Sequence, residues 1–235
     1  MQKFVLIGMP RVGSNFVVGM LNRHPDILCH YELANPSSVI GPMAAASVLT
    51  QEFRERDPVG FVQAAFDSGR AKKAVGFKIF GGDVSAICQY VLDEQEIRKL
   101  VITRPNLLAA FSSQKIALKT GVWGARSKDD LHSPKIPFDR VEFEHYRSYA
   151  EHFFEGVRKK LLLSGQNYLE IFYDRLHDSE QKKSIFSFLK VDVPKDPSFD
   201  SLKQNTPNLL ERFSNPGDAA RHLVSIGRES WSKET

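Results

Sequence analysis

Short continuous apolar runs alternate along this chain with longer stretches whose apolar residues recur at helical spacing. Residues 4–7, 27–29, 74–80, 99–103 and 168–172 are apolar runs bounded by turn formers, and they predict strands buried on both faces. Residues 15–21, 84–92, 106–119, 140–163 and 179–189 carry amphipathic spacing and predict helices that cover those strands. Residues 47–67 are also helical in spacing, through Val48, Phe53, Phe61, Ala65 and Phe66, with an interruption near Pro58. Residues 35–46 are rich in Pro, Ser, Gly and Ala, and residues 124–139 are polar with two prolines, so both predict irregular loops. A last helical segment is predicted at 217–225. Strand and helix alternate without any internal repeat. The expected fold is α/β: a single domain over 1–235, with a mostly parallel five-stranded sheet flanked by helices in the P-loop NTPase-like layout. Its core would span 3–190, and 191–235 would be a tail packing on that core.

Composition narrows the class. With 235 residues, 42% of them hydrophobic, the chain can bury a substantial core. Its charged residues, 26% of the total, are interspersed in sign, which is globular rather than disordered composition. Lys and Arg outnumber Asp and Glu by 32 to 28 without forming a dense basic run. That small excess suits an anionic small ligand and argues against nucleic acid as a partner. Cys29 and Cys88 lie singly in apolar surroundings, which gives neither a disulfide framework nor a zinc site. No apolar run approaches the roughly 18 residues of a membrane-spanning helix, and no secretory h-region is present, so a cytoplasmic protein is expected.

The first chemistry lies between the first strand and the first helix, in Gly8-Met9-Pro10-Arg11-Val12-Gly13-Ser14-Asn15. Glycines let the backbone bend around an anion, and the helix that follows aims its first N–H groups at it. Two glycines separated by four residues match the spacing of the nucleotide-binding P-loop. Ser14 and Asn15, however, stand where that motif carries Lys and then the magnesium-ligating Ser or Thr. Arg11 supplies positive charge instead, and an ATP-magnesium site is disfavoured. A plain tight turn would use the same glycines.

The second stretch is Arg104-Pro105-Asn106-Leu107-Leu108-Ala109-Ala110-Phe111-Ser112, after the fourth strand. Here the chain resembles the sulfotransferases that use 3′-phosphoadenosine-5′-phosphosulfate (PAPS), in particular their bacterial carbohydrate-type branch. In that family an Arg at a strand end and a Ser eight residues later hold the donor's 3′-phosphate, and Arg104 and Ser112 match those positions. The spacing is a little over two helical turns, so both groups can return to one side. Residues 8–21 are similar to the family's 5′-phosphosulfate loop, with Gly13 and Ser14 matching and Asn15 replacing the usual Thr. The resemblance thus implies donor contacts from Arg11, Val12, Gly13, Ser14 and Asn15. Residues 168–176 resemble the strand and turn before the last core helix, residues 186–189 the end of that helix, and Trp123 a tryptophan common after the Ser112 helix.

Lys78, at the end of the third strand, matches the family lysine that contacts the transferring group. The cytosolic small-molecule branch has a His base two residues later, but Phe80 stands there. Sulfuryl transfer to a hydroxyl needs a base near the acceptor and positive charge on the reacting oxygens. Glu32, just past the second strand, is the first choice because the bacterial carbohydrate-type branch places a catalytic Glu in this region. His30 is second and Asp83 third, and Glu32 read as a plain loop acid is the bland alternative. The loops at 37–46 and 124–139, with His132, Lys135 and Arg140, would shape the acceptor pocket.

The resemblance implies an enzyme with PAPS as sulfuryl donor and PAP as product, and no metal requirement. Its acceptor would be a small molecule or carbohydrate, for instance a glycolipid, offering a hydroxyl or amine. A homodimer is left open. The rival readings are a P-loop-type nucleotide or small-molecule kinase and a non-catalytic binder of PAP or polyanions.

Overall fold

A computed structural model describes residues 1–41, 48–123, 134–195 and 205–234. Five strands, β1 (Gln2–Gly8), β2 (Ile27–His30), β3 (Ala74–Phe80), β4 (Ile97–Thr103) and β5 (Tyr168–Phe172), form among these residues a sheet in the order β2-β3-β1-β4-β5. Each pairing is parallel. The α/β class and the five-stranded sheet expected from the sequence are therefore what forms.

The chain divides into two compact units. The first comprises Met1–Met9, Gly13–Thr103 and Glu155–Phe199, and it contains the whole sheet. Phe4, Val5, Leu6 and Ile7 of β1 are completely buried, as are Leu100, Val101 and Ile102 of β4. That burial on both faces is what makes these strands read as unbroken apolar runs. Helix α1 (Ser14–Asn22) buries Phe16, Val17, Val18, Met20 and Leu21, while α4 (Ser85–Asp93) buries Ile87 and Val91.

Between β2 and β3 lie α2 (Gln51–Arg56) and α3 (Pro58–Asp67). The Thr50 hydroxyl caps α2 by accepting from Phe53 N at 3.1 Å, and the Asp57 carboxylate caps α3 by accepting from Gly60 N at 2.9 Å. Pro58 therefore begins a new helix, where its missing N–H costs nothing, rather than kinking one long helix. After β5 come a short 3₁₀ turn, Tyr173–Arg175, and α7 (Ser179–Phe188).

The second unit comprises Pro10–Val12, Arg104–Phe154 and Asp200–Thr235. It holds α5 (Leu107–Thr120), the first part of α6 (Arg140–Leu163), α8 (Pro216–Ser225) and 3₁₀ turns at Leu209–Arg212 and Glu229–Ser232. Asn106 caps α5 by accepting from Ala109 N at 3.1 Å, and Gly121 ends it in the left-handed conformation at φ +73°. The core of this unit is aromatic. Phe111 packs on Phe143 at 5.4 Å between ring centres, and Phe138 on Phe213 at 5.4 Å, both edge to face.

Candidate functional site

In the first unit, β1 ends at Gly8 and α1 starts at Ser14, with Gly13 just before it at φ +87°. A Cβ on Gly13 would lie 2.6 Å from Leu176 Cδ1 and 2.8 Å from Tyr173 Cδ2, so both conformation and space demand glycine. The first turn of α1 carries no acidic residue and, among the described residues, no side-chain cap. Such a helix start favours an anion.

The Asn15 side chain, on that first turn, accepts a hydrogen bond from Lys78 Nζ at 2.5 Å. Lys78 stands in β3 opposite Leu6 and is almost fully buried, so its ammonium group depends on partners for its charge. Glu32 Oε1 lies 2.8 Å from Nζ, and the Phe80 and Tyr31 rings flank the ammonium at 5.0 and 5.7 Å. The other Glu32 oxygen accepts from Asn35 Nδ2 at 2.9 Å, yet the side chain keeps 21% of its surface accessible. Glu32, Lys78 and Asn15 are thus brought together from three separate elements.

His30 is placed differently. It is the last residue of β2, fully buried, with Nε2 3.0 Å from Ser68 Oγ. That hydroxyl donates to Ala65 O at 2.7 Å, so it receives from the ring, and the His30 proton sits on Nε2. Nδ1 has no partner among the described residues. Burial pushes the imidazole down to about 4, against the opposing pull of the Ala65 carbonyl, which keeps the ring neutral at ordinary pH. Asp83 accepts from Phe80 N at 2.8 Å. Burial pushes its carboxyl up to about 6, and the nearby Glu32 charge adds to the rise while the Phe80 N–H opposes it.

One residue of this region carried no signal in the sequence. Arg54 of α2 is buried, and Nη1 donates to the carbonyls of Leu33 at 3.0 Å, Ser38 at 3.2 Å and Asn35, while Nη2 donates to Pro36 O at 3.2 Å. It fixes the segment that follows Glu32. An Arg on an amphipathic helix otherwise reads as a solvated surface residue.

In the second unit, Arg11 has φ +67°, an uncommon conformation for a residue with a side chain. Its Nε donates to Ser113 Oγ at 2.9 Å, and Nη1 donates to the Trp123 carbonyl. Val12 is buried. The Arg11 carbonyl accepts from Arg104 Nη1 at 2.8 Å. Arg104 also donates from Nε to Glu234 Oε1 at 2.7 Å, and its Nη2 reaches the same oxygen.

Ser112, fully buried on α5, donates to Ala109 O at 3.2 Å and accepts from Arg212 Nη1 at 3.0 Å. Arg212 Nη2 in turn lies 3.3 Å from Glu234 Oε2. Arg104 and Ser112 are therefore linked through two residues that sequence reasoning missed, Arg212 and Glu234. Lys135 and Arg140 belong to this unit as well: the Lys135 carbonyl accepts from Lys119 Nζ at 3.0 Å, and Arg140 opens α6. His132 and residues 42–46 and 124–133 of the two expected loops lie outside the described residues.

Among the described residues, no group of three or more His, Cys, Asp or Glu side chains could hold a metal ion, and no helix is long and apolar enough to cross a membrane. No family model matches the chain. Nodulation protein H of Rhizobium tropici is 25% identical over 240 residues, covering 95% of this chain and 90% of that protein. A crystal structure of a sulfotransferase from Alicyclobacillus acidocaldarius matches 98% of this chain and 98% of its own, at 20% identity and a TM-score of 0.52. The mouse sulfotransferase SULT7A1 in complex with PAP aligns over 92% of this chain and 63% of its own, at 14% identity and a TM-score of 0.40. Over nearly its full length, this chain has the fold of the Alicyclobacillus sulfotransferase.

Proposed function

We propose that this chain, working as one domain, is a cytoplasmic sulfotransferase that moves a sulfuryl group from PAPS to a hydroxyl or amine of a small-molecule or carbohydrate acceptor. The observation that carries the reading is the Lys78 ammonium, buried between the Glu32 carboxylate at 2.8 Å and the Asn15 side chain at 2.5 Å. This arrangement joins a base, a cation and the start of an anion-favouring helix. The sulfotransferase fold supports it.

In the proposed reaction the acceptor oxygen or nitrogen attacks sulfur, its bond to sulfur forms, and the bond from sulfur to the phosphate oxygen of PAP breaks. Glu32 takes the acceptor proton, and Lys78 balances charge on the oxygens around sulfur. Glu32 is preferred to His30 because His30 is sealed in the core, with Nε2 committed to Ser68. Arg11, Val12, Gly13, Ser14 and Asn15 would hold the 5′-phosphosulfate, and Arg104 and Ser112 the 3′-phosphate.

A melting experiment with PAP and with magnesium-ATP tests the reading. A ligand at ~100 times its dissociation constant stabilises by about 2.7 kcal/mol. PAP is expected to raise the melting temperature equally with EDTA or magnesium present, and magnesium-ATP to leave it unchanged. A response to magnesium-ATP alone would replace this reading with a kinase. Transfer of labelled sulfate from PAPS to a panel of sugar and small hydroxyl acceptors then separates an enzyme from a mere PAP binder.

A further inference from the structure

The Glu32 carboxylate is met by two partners of unlike kind. Lys78 Nζ stands 2.8 Å from Oε1, and Asn35 Nδ2 donates to Oε2 at 2.9 Å. The ammonium supplies charge but little direction, because its three donors turn freely on a flexible stem. The last torsion of a Glu side chain is itself broad, so an ammonium alone leaves the plane of the carboxylate unset. A planar amide on the second oxygen removes that freedom.

The sense of this amide is fixed. Asn35 Oδ1 accepts from Ser37 N at 2.9 Å, and a backbone N–H can only donate, so Nδ2 is the end turned to Glu32. The rest of the residue is held as well. Its carbonyl accepts from Ser38 N at 3.2 Å and from Arg54 Nη1, and Ile40 N donates to Glu32 O at 3.1 Å, which closes the loop on itself. Val84 N, just before α4, donates to Ala34 O at 3.0 Å and ties the same loop to the helix start.

We infer that Asn35 is the positioning residue of Glu32, setting the plane in which the carboxylate meets the acceptor. The inference rests on the proposed reading, in which Glu32 takes the acceptor's proton. A carboxylate offers about four acceptor sites, so with Lys78 and Asn35 in place two remain, both in the plane that Asn35 sets. Without the amide the group is free to turn both oxygens onto the Lys78 ammonium, which carries its lone pairs away from the acceptor. A misplacement of about 1 Å is enough to slow a reaction a hundredfold.

Asn35 also forms a turn through Ser37 N, and substitution separates the two roles. Asn35→Asp keeps the turn, because Asp and Asn accept alike in such turns, but it sets an oxygen against Glu32 where a donor stood. Asn35→Ser keeps a weaker turn and withdraws the donor without adding charge. Arg54 holds the Asn35 carbonyl and not its side chain, so both variants retain the path of the loop.

Single-turnover transfer of labelled sulfate from PAPS to the panel of sugar and small hydroxyl acceptors, with calorimetry of PAP alongside, measures the effect. Asn35→Ser is expected to slow transfer roughly tenfold and Asn35→Asp about a hundredfold, with PAP affinity and acceptor KM unchanged. A residue that serves the turn alone predicts the opposite order, with Asp the milder change. That order, or wild-type rates in both variants, overturns the inference. Should Asn35→Asp fail to fold, a loss of rate at unchanged KM in Asn35→Ser decides the matter. Glu32→Gln is the control. If it is slow while Asn35→Asp is fast, the base stands and only the role of Asn35 falls. If Glu32→Gln keeps the wild-type rate, or wild type transfers sulfate to no acceptor, the underlying reading fails and takes this inference with it.

Discussion

The two units each bury an ion pair, and the pairs are built differently. In the first, a lysine meets Glu32 while the carboxylate keeps 21% of its side-chain surface open. In the second, arginines grip Glu234, whose side chain is only 10% exposed. An ammonium is a compact charge with three rotatable donors, suited to follow charge as it moves between oxygens. A guanidinium is a rigid fork, suited to recognise one fixed anion. On the proposed reading the first pair serves chemistry and the second recognition, and the contrast can be broken by experiment.

The largest effect is expected at Glu32. Glu32→Gln should lower the single-turnover transfer rate on the order of 10²–10⁴-fold with PAP affinity retained. A variant with the wild-type rate would hand the base to Asp83 or His30 and end the contrast. Next comes Gly13, which serves the scaffold. Gly13→Ala must adopt φ +87° and place its Cβ 2.6 Å from Leu176 Cδ1. The cost is about 2–4 kcal/mol, read as a lower urea midpoint at unchanged slope.

Arg104→Ala should weaken PAP by about ten- to a hundredfold while AMP, which lacks the 3′ group, holds its affinity. Equal losses for both ligands would show that Arg104 does not read that phosphate.

The smallest effect concerns pH. His30, held down at about 4 from an ordinary 6.5, makes the unfolded chain the better proton acceptor, so stability falls as pH drops from 6.5 to 4. Asp83, raised from 3.8 to about 6, acts in reverse: its contribution is present below 3.8 and is lost as pH rises through 6. The two contributions oppose each other over the same range. Asp83→Asn removes the second, so on acidification from pH 6.5 to 4 the variant should lose about 1–2 kcal/mol more stability than wild type. Urea midpoints across that range check the difference.

Much of the first unit was legible because its signals are local. A run such as 99–103 names a buried strand by itself, and Gly13 before Ser14 names the turn and the helix start. Pro58 was read as an interruption, although Asp57 beside it marked the start of a helix. What stayed hidden depends on distant partners. Glu234 lies 130 positions from Arg104, and no pattern around it differs from that of a solvated acid. Arg212 was silent for the same reason. The His30 environment was equally unreadable, since alternation along a strand predicts a shared face with Glu32 only while the strand lasts, and β2 stops at His30.

Arg54 has a consequence for how such a protein can change. Its grip on the segment after Glu32 runs through the carbonyls of Leu33, Asn35, Pro36 and Ser38. Every L-residue offers the same carbonyl, so the clamp is indifferent to which side chains the segment displays. Substitutions there can alter what the surface presents while the loop keeps its path and Glu32 its anchor. On the proposed reading, new acceptor preferences can then accumulate one residue at a time, without rebuilding the frame that carries Glu32.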